Sequence, residues 1–246
     1  MSDQPGCLPG GLGRHVATTG YPGPRAFPLS PAPSTPYPSP MDDPRFGMLR
    51  EALSAYASDP DDPPLLEGDY LQAAVSLIVR GRDDLDVLLI KRARHERDPW
   101  SGHMALPGGR RDPSDASLLE TAIRETREET GVDLDADGVH LGRLGGLAPR
   151  SVRLPRLTIS PFVFGVPHDT PARVASPEVD AIHWIPLEAL RAPETHGTVD
   201  IPFPGGSRRF PCLHVAGEVV WGLTYRIFED FLGRLPHESL GREKRR

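Results

Sequence analysis

One stretch constrains this chain more than any other: Leu106-Pro107-Gly108-Gly109, an Asp/Pro/Ser-rich segment, and then Glu120-Thr121-Ala122-Ile123-Arg124-Glu125-Thr126-Arg127-Glu128-Glu129-Thr130-Gly131-Val132. A Gly-Gly turn leads into a helix that stops at Gly131, a residue suited to the left-handed conformation at a helix C-terminus. Glu125, Glu128 and Glu129 recur at helical spacings of three and four, which stack side chains on one face. Like charges so placed repel unless something positive sits against them. Hard divalent cations, which prefer oxygen ligands, are the natural candidates.

The remaining composition narrows the class. The chain has 246 residues, a formal charge of -6 and a pI near 5.8. Such a balance offers no polyanion-binding surface, so no nucleic-acid partner is expected, and an anionic substrate must be met by local arginines and metal. Two cysteines, Cys7 and Cys212, define no disulfide framework and no thiolate metal site. No apolar run is long enough to span a bilayer and no signal-peptide pattern opens the chain, so no membrane is expected and a cytoplasmic location is.

Organisation follows from composition shifts. Residues 1–40 hold ten of the 29 prolines among Gly, Ser and Thr, and read as a disordered tail. A polyproline ligand is the functional alternative, though no repeated recognition motif is visible. Residues 41–70 read as a helical lead-in, with Phe46, Met48, Leu49, Leu53 and Tyr56 near one face, and a proline-rich linker. Residues 71–235 read as one domain, and 236–246 as a charged tail.

Within the domain, Ala73–Val79 and Asp86–Arg92 form a hairpin, and His103–Leu106 a short strand. Val139–Leu147, Leu157–Val166 and Val179–Ile185 are strands, and Leu187–Arg191 a short helix. Pro193–Gly206 reads as loop, Phe210–Val215 and Glu218–Val220 as a last hairpin, and Trp221–Leu235 as an amphipathic helix. Leu118, Leu119, Ala122 and Ile123 give the central helix its sheet-facing side, with Glu125, Glu128 and Glu129 on another. Strands spread through the chain, with one helix amid them and one after, imply an α/β (α+β layered) fold with a mixed sheet between helices.

Arg124 to Val132 resembles the second half of the Nudix box, R-E-U-x-E-E-x-G-U. The first half, normally G-x5-E-x7, departs from it: Arg110 stands at the glycine and Ala116, beside Asp115, at the glutamate. The departure, Pro107-Gly108-Gly109-Arg110-Arg111-Asp112-Pro113-Ser114-Asp115-Ala116-Ser117, resembles the coenzyme A pyrophosphatase branch, as does Trp221-Gly222-Leu223-Thr224. Trp100-Ser101-Gly102 stands where that branch carries H-x-G.

The resemblance implies a Nudix hydrolase using Mg2+ (or Mn2+) to cleave a pyrophosphate. Glu125, Glu128, Glu129 and the Gly109 carbonyl would be metal ligands, with Glu128 also eligible as base and Arg124 orienting it. The ordinary alternative for an E-x-x-E-E run is a solvated face of Arg/Glu pairs, and its framing here by Arg124, Gly131 and the Gly-Gly turn argues against that. Glu178, ahead of Val179–Trp184, is a base or further ligand in one reading and a surface loop residue in the other. Arg110, Arg111, Arg150, Arg153 and Arg156 are candidates to grip phosphates, although exposed arginines are common. His103 and Trp100 read as structural, with base stacking the alternative for Trp100. The implied partner is a small-molecule pyrophosphate, coenzyme A or acyl-CoA by resemblance, with room for a homodimer. A broader nucleotide-diphosphate hydrolase and a non-catalytic binding module of the same fold are the competing functions; the second would be expected to lack one of the three glutamates.

Overall fold

The computed structural model describes residues 43–54, 70–81, 84–95, 101–148, 156–203 and 206–235, all within the unit Thr35–Arg246. The expected tail at 1–40, the linker prolines, Trp100, Arg150, Arg153 and the segment 236–246 lie outside the described residues, and of Arg156 only the backbone is described.

A seven-stranded mixed sheet forms the centre. Strand β1 (Tyr70–Gly81) pairs antiparallel with β2 (Leu85–Arg92), as the apolar runs on either side of the turn required. β2 also pairs with β3 (Met104–Ala105), and β1 with β4 (Gly108–Arg110). The Gly-Gly pair is therefore strand rather than turn: Gly108 sits opposite Val75 and Gly109 opposite Ala74. Helix α2 (Leu118–Thr130) follows, then a single turn α3 (Leu134–Asp137) capped by the Asp133 carboxylate, and β5 (Val139–Arg143). β6 (Arg156–Val166) runs parallel to β1 along eleven residue pairs, which makes the sheet mixed. β7 (Val179–Pro186) pairs with β2 and runs into α4 (Leu187–Arg191). The helix α1 (Pro44–Ser54), within the expected lead-in, buries Phe46, Leu49 and Leu53.

The segment expected as loop at Pro193–Gly206 is one turn of 3-10 helix and then β8 (His196–Phe203). It pairs with β9 (Gly206–Val215), which returns through the left-handed pair Ala216 and Gly217 to β10 (Glu218–Trp221), giving a three-stranded second sheet. β8 alternates exposed and half-buried residues and carries Pro202, so it has the low apolar content of an edge strand. Helix α5 (Gly222–Arg234) closes the described chain.

Alternation divides the core. Leu77, Val79, Val87 and Leu89 face α1, α5 and β9–β10, where Phe228 and Phe231 are fully buried. Ala74, Ile78, Leu88 and Phe162 face α2, meeting Leu118 and Ala122. Burial of this kind is worth about 25 cal/mol per Å2 of apolar surface. The helix is also fixed in register by polar groups: the Thr126 hydroxyl donates to Ser76 Oγ at 2.8 Å, and Ser76 Oγ donates to the Ala122 carbonyl at 3.1 Å, all buried. That chain sets the height of the glutamates above β4.

Candidate active site

The site lies where α2 crosses β4. Ser117 caps the helix by accepting from Glu120 N at 3.1 Å, and Gly131 ends it at φ 68°. The three glutamates do not share one environment. Glu129 is 4% exposed and belongs to the buried side, Glu125 is 18% exposed at the edge, and Glu128 stands out at 57%. The single face expected from the spacing is thus a graded rim, because residues three and four apart on a helix differ by tens of degrees in direction.

Glu129 Oε2 accepts from the Gly108 amide at 2.8 Å. Burial pushes its carboxyl up to about 8, helped by the charge of Glu125 and, less strongly, Glu178, and opposed by the Gly108 hydrogen bond and by Arg92. Glu125 is raised by burial against the pull of Arg124, with Glu128 and Glu178 adding repulsion. Its carboxylate lies against Gly109: a Cβ there would collide with it. Glycine is thus required at this point for close approach of backbone and carboxylate.

Arg124 ties the rim together. Its Nη1 donates to Glu125 Oε1 at 2.9 Å and reaches both Glu128 oxygens at 3.4 Å, while Nη2 donates to the Arg110 carbonyl at 3.2 Å. Asp115 holds the other side of the guanidinium, Oδ1 taking Nε and Oδ2 taking Nη2, both at 2.9 Å. Asp115 is buried and also accepts from the Thr121 hydroxyl and the Asp112 amide; the Arg124 bonds chiefly hold its carboxyl down to about 2. Sequence reasoning noted Asp115 only as the neighbour of Ala116. The signal was present: an acid nine residues before Arg124 whose flanking Asp112, Pro113 and Ser114 form a turn, with Asp112 Oδ1 accepting from Ser114 N and Oγ.

Glu178 is brought to the same cluster. The segment before it is pinned to the C-terminal turn of α2, with Arg173 N donating to the Thr130 carbonyl and Ala175 N to that of Glu129. The Glu178 carbonyl accepts from Ala93 N at 2.7 Å, and the charge of its side chain raises both Glu125 and Glu129. Of the arginines expected to grip phosphate, Arg110 is exposed beside Gly109, whereas Arg111 donates to the carbonyls of Asp115 and Ala116. His103 stacks edge-on against Trp221 with ring centres 5.0 Å apart, so both belong to the packing between β3 and β10.

The donor set fits a hard divalent cation. Glu125 lays its carboxylate against Gly109 and Glu129 accepts from the neighbouring Gly108 amide, so carboxylate oxygens and strand backbone meet at β4. Burial disfavours the charged form of Glu129, so a bound cation would stabilise its carboxylate. Among the described residues, no three His, Cys, Asp or Glu side chains enclose an ion.

Residues 70–203 match the NUDIX domain. An uncharacterized protein of Schizosaccharomyces pombe is 42% identical over 120 residues, 47% of this chain and 36% of that one, so the chain spans about a third of that relative's length. An uncharacterized Nudix hydrolase, NudL, of Yersinia enterocolitica is 34% identical over 180 residues, covering 73% of this chain and 89% of NudL. A solved MutT/nudix family protein from Enterococcus faecalis is 21% identical, covers 79% of this chain and 72% of its own, and has a TM-score of 0.42. The chain belongs to the Nudix family.

Proposed function

We propose that this chain is a divalent-metal-dependent hydrolase that cleaves the pyrophosphate bond of a nucleoside-diphosphate-linked compound. The observation that carries the reading is that Glu125 lies against Gly109 while Glu129 accepts from the adjacent Gly108 amide on β4. A bound Mg2+ or Mn2+ would supply Lewis-acid neutralisation of phosphate oxygens and lower the pKa of water. Glu125 and Glu129 would hold it, with Glu128 at the solvent edge and the Gly109 carbonyl as further ligands.

The protein's own groups supply the rest. Asp115 fixes Arg124, and Arg124 fixes Glu125 and draws Glu128 inward. Glu128, from the helix, and Glu178, just ahead of β7, are the two carboxylates this reading offers as acceptors of the proton of an attacking water. Arg110, with Arg150 and Arg153, would receive phosphate oxygens, for which a planar guanidinium is suited.

Coenzyme A or an acyl-CoA is the leading substrate, on the run Pro107 to Ser117 and on Trp221-Gly222-Leu223-Thr224. Trp100-Ser101-Gly102, in place of H-x-G, favours as second reading a broader hydrolase of ADP-ribose, NADH or nucleoside triphosphates. Purified protein with Mg2+ or Mn2+, offered coenzyme A, ADP-ribose, NADH and nucleoside triphosphates, tests both. Release of 3′,5′-ADP and 4′-phosphopantetheine is the expected result. Cleavage of none of them, or rates unchanged in Glu125→Gln and Glu129→Gln, overturns the reading.

A further inference from the structure

Strand β8 is an edge of the second sheet: among the described residues its one strand neighbour is β9. Antiparallel partners alternate between residue pairs that exchange two N–H···O bonds and pairs that exchange none. Proline has no N–H to exchange. Pro202 stands opposite Ser207 and Pro211 opposite Thr198, so both pairs are of the kind that exchanges none. Asp200, opposite Arg209, lies midway between them and shares their parity. The N–H and C=O of Thr198 and Asp200 therefore point away from β9. Those of His196 follow the same parity, and its N–H is already taken by the Pro193 carbonyl. Edges are ordinarily guarded by a bulge, a lysine or short length. β8 has eight residues, in unbroken register with β9, and no lysine; its guard is Pro202, near the far end.

We propose that β8 joins two copies of this chain, their edges pairing antiparallel about a two-fold axis at Thr198. The occupant is a second copy because the strand complements itself in that register. Thr198 exchanges both bonds with Thr198 of the second copy, and each Asp200 N–H donates to the His196 carbonyl across from it. Pro202 then falls opposite residue 194, before the strand begins, and its missing N–H interrupts nothing. An axis at Val199 would instead set Pro202 opposite His196, a pair in which neither amide can donate. The side chains agree with the backbone. Thr198 and Asp200 are exposed, and threonine facing threonine is a favourable cross-strand pair. Each Asp200 carboxylate faces the His196 imidazole of the other copy, whereas an axis at Asp200 would oppose two carboxylates. On the other face Gly197 stands opposite Val199 of the second copy and leaves it room, and the two Val199 side chains become diagonal neighbours.

The test uses the full chain. Sedimentation equilibrium should give a species of twice the 26.9 kDa chain mass. Amide hydrogen exchange should show the Thr198 and Asp200 N–H groups gaining protection as protein concentration rises. Thr198→Pro removes an N–H that β9 does not use, so the chain should fold as wild type by circular dichroism while the dimer dissociation constant rises about tenfold or more. Thr198→Asp sets two carboxylates face to face at the axis and gives the same comparison should the proline variant fold poorly. Dimers of unchanged affinity in both variants overturn the assignment. So does a wild-type chain that stays monomeric, as it would if the edge served a different protein. Protection of Thr198 and Asp200 that is independent of concentration also overturns it, since that would mark a segment of the same chain lying along β8.

Discussion

Asp115 grips Arg124 through two parallel hydrogen bonds of 2.9 Å, from a position where its own side chain is almost wholly buried. A carboxylate at 115 reaches the arginine because the Asp112–Asp115 turn folds the acid inward and leaves Ala116 facing solvent, its amide bonded to Glu120. The positioning of Arg124, and through it Glu125 and Glu128, depends on this pair.

Asp115→Asn should therefore lower both stability and turnover. With the carboxyl lowered from 3.8 to about 2, linkage gives about 2 kcal/mol at neutral pH. For a domain of this size that corresponds to a drop in Tm of roughly 4–8 °C. The sign is set by the depressed pKa: the stabilisation is present above about pH 4 and disappears as pH falls toward 2. Thermal melts of wild type and variant should converge by about pH 2; a gap that persists undiminished there would refute the ionic account.

How much of this was readable beforehand depended on periodicity. The places of α2, β1, β2 and β6 followed from apolar spacing and from Gly131, because those elements bury a definite face, although β1 runs from Tyr70 to Gly81, beyond the expected Ala73–Val79. β8 was not readable, since it has no fully buried side and contains Pro202, so alternation there carries little hydrophobic contrast. Gly108-Gly109 looked like a turn because glycine usually marks one; here the absence of side chains serves close approach to Glu125, Glu129 and β1. Glu125, Glu128 and Glu129 were singled out by spacing together with the resemblance, but their different burial was not legible, because it depends on how far Ser76 and Thr126 seat the helix on the sheet. Asp115 reaches Arg124 over nine residues through the Asp112–Asp115 turn, a signal carried by turn residues rather than by apolar spacing.

The two glycines should respond differently to alanine. Gly108 has φ 150°, and a Cβ there would strike the Ala74 carbonyl and the Val75 backbone, neither of which can move without breaking the β1–β4 pairing. Gly108→Ala should give a protein that is largely insoluble or melts far below wild type. At Gly109 the nearest atoms the added carbon meets are those at the end of the Glu125 side chain. Gly109→Ala should stay folded, with a Tm within a few degrees of wild type, and lose about 100-fold or more in activity, the scale expected when catalytic groups are displaced by about 1 Å. Circular dichroism melts and initial rates on the same preparations check this; similar behaviour of the two variants would contradict it.

Breaking the buried hydroxyl chain should loosen the seat of α2. Ser76→Ala removes the acceptor of the Thr126 hydroxyl and the donor to the Ala122 carbonyl while adding no bulk at this fully buried position. A loss of about 1–3 kcal/mol is expected from the unpaired groups. Because the same contact sets Glu125 and Glu129 relative to Gly108 and Gly109, half-saturation by Mn2+ should shift upward together with the fall in denaturation midpoint. A stability loss with unaltered Mn2+ dependence would show that the helix keeps its height without this contact.

Glu129 supplies the converse case, a residue that lowers stability. Burial raises its carboxyl from 4.5 to about 8, so the native chain holds a proton there that the unfolded chain has released. In a metal-free buffer the native state should lose stability as pH rises from about 4.5 to about 8, by about 3 kcal/mol at pH 7. Glu129→Gln keeps an oxygen for the Gly108 amide without the charge. In EDTA the variant should melt above wild type at pH 7 to 8, with the two approaching each other near pH 4.5. Adding Mn2+ should reverse the order, stabilising wild type, whose carboxylate gains a cation, and leaving the variant nearly unmoved and inactive. A variant less stable than wild type in EDTA at pH 8 would mean that Glu129 is already compensated within the protein, and the cation would have to be sought elsewhere.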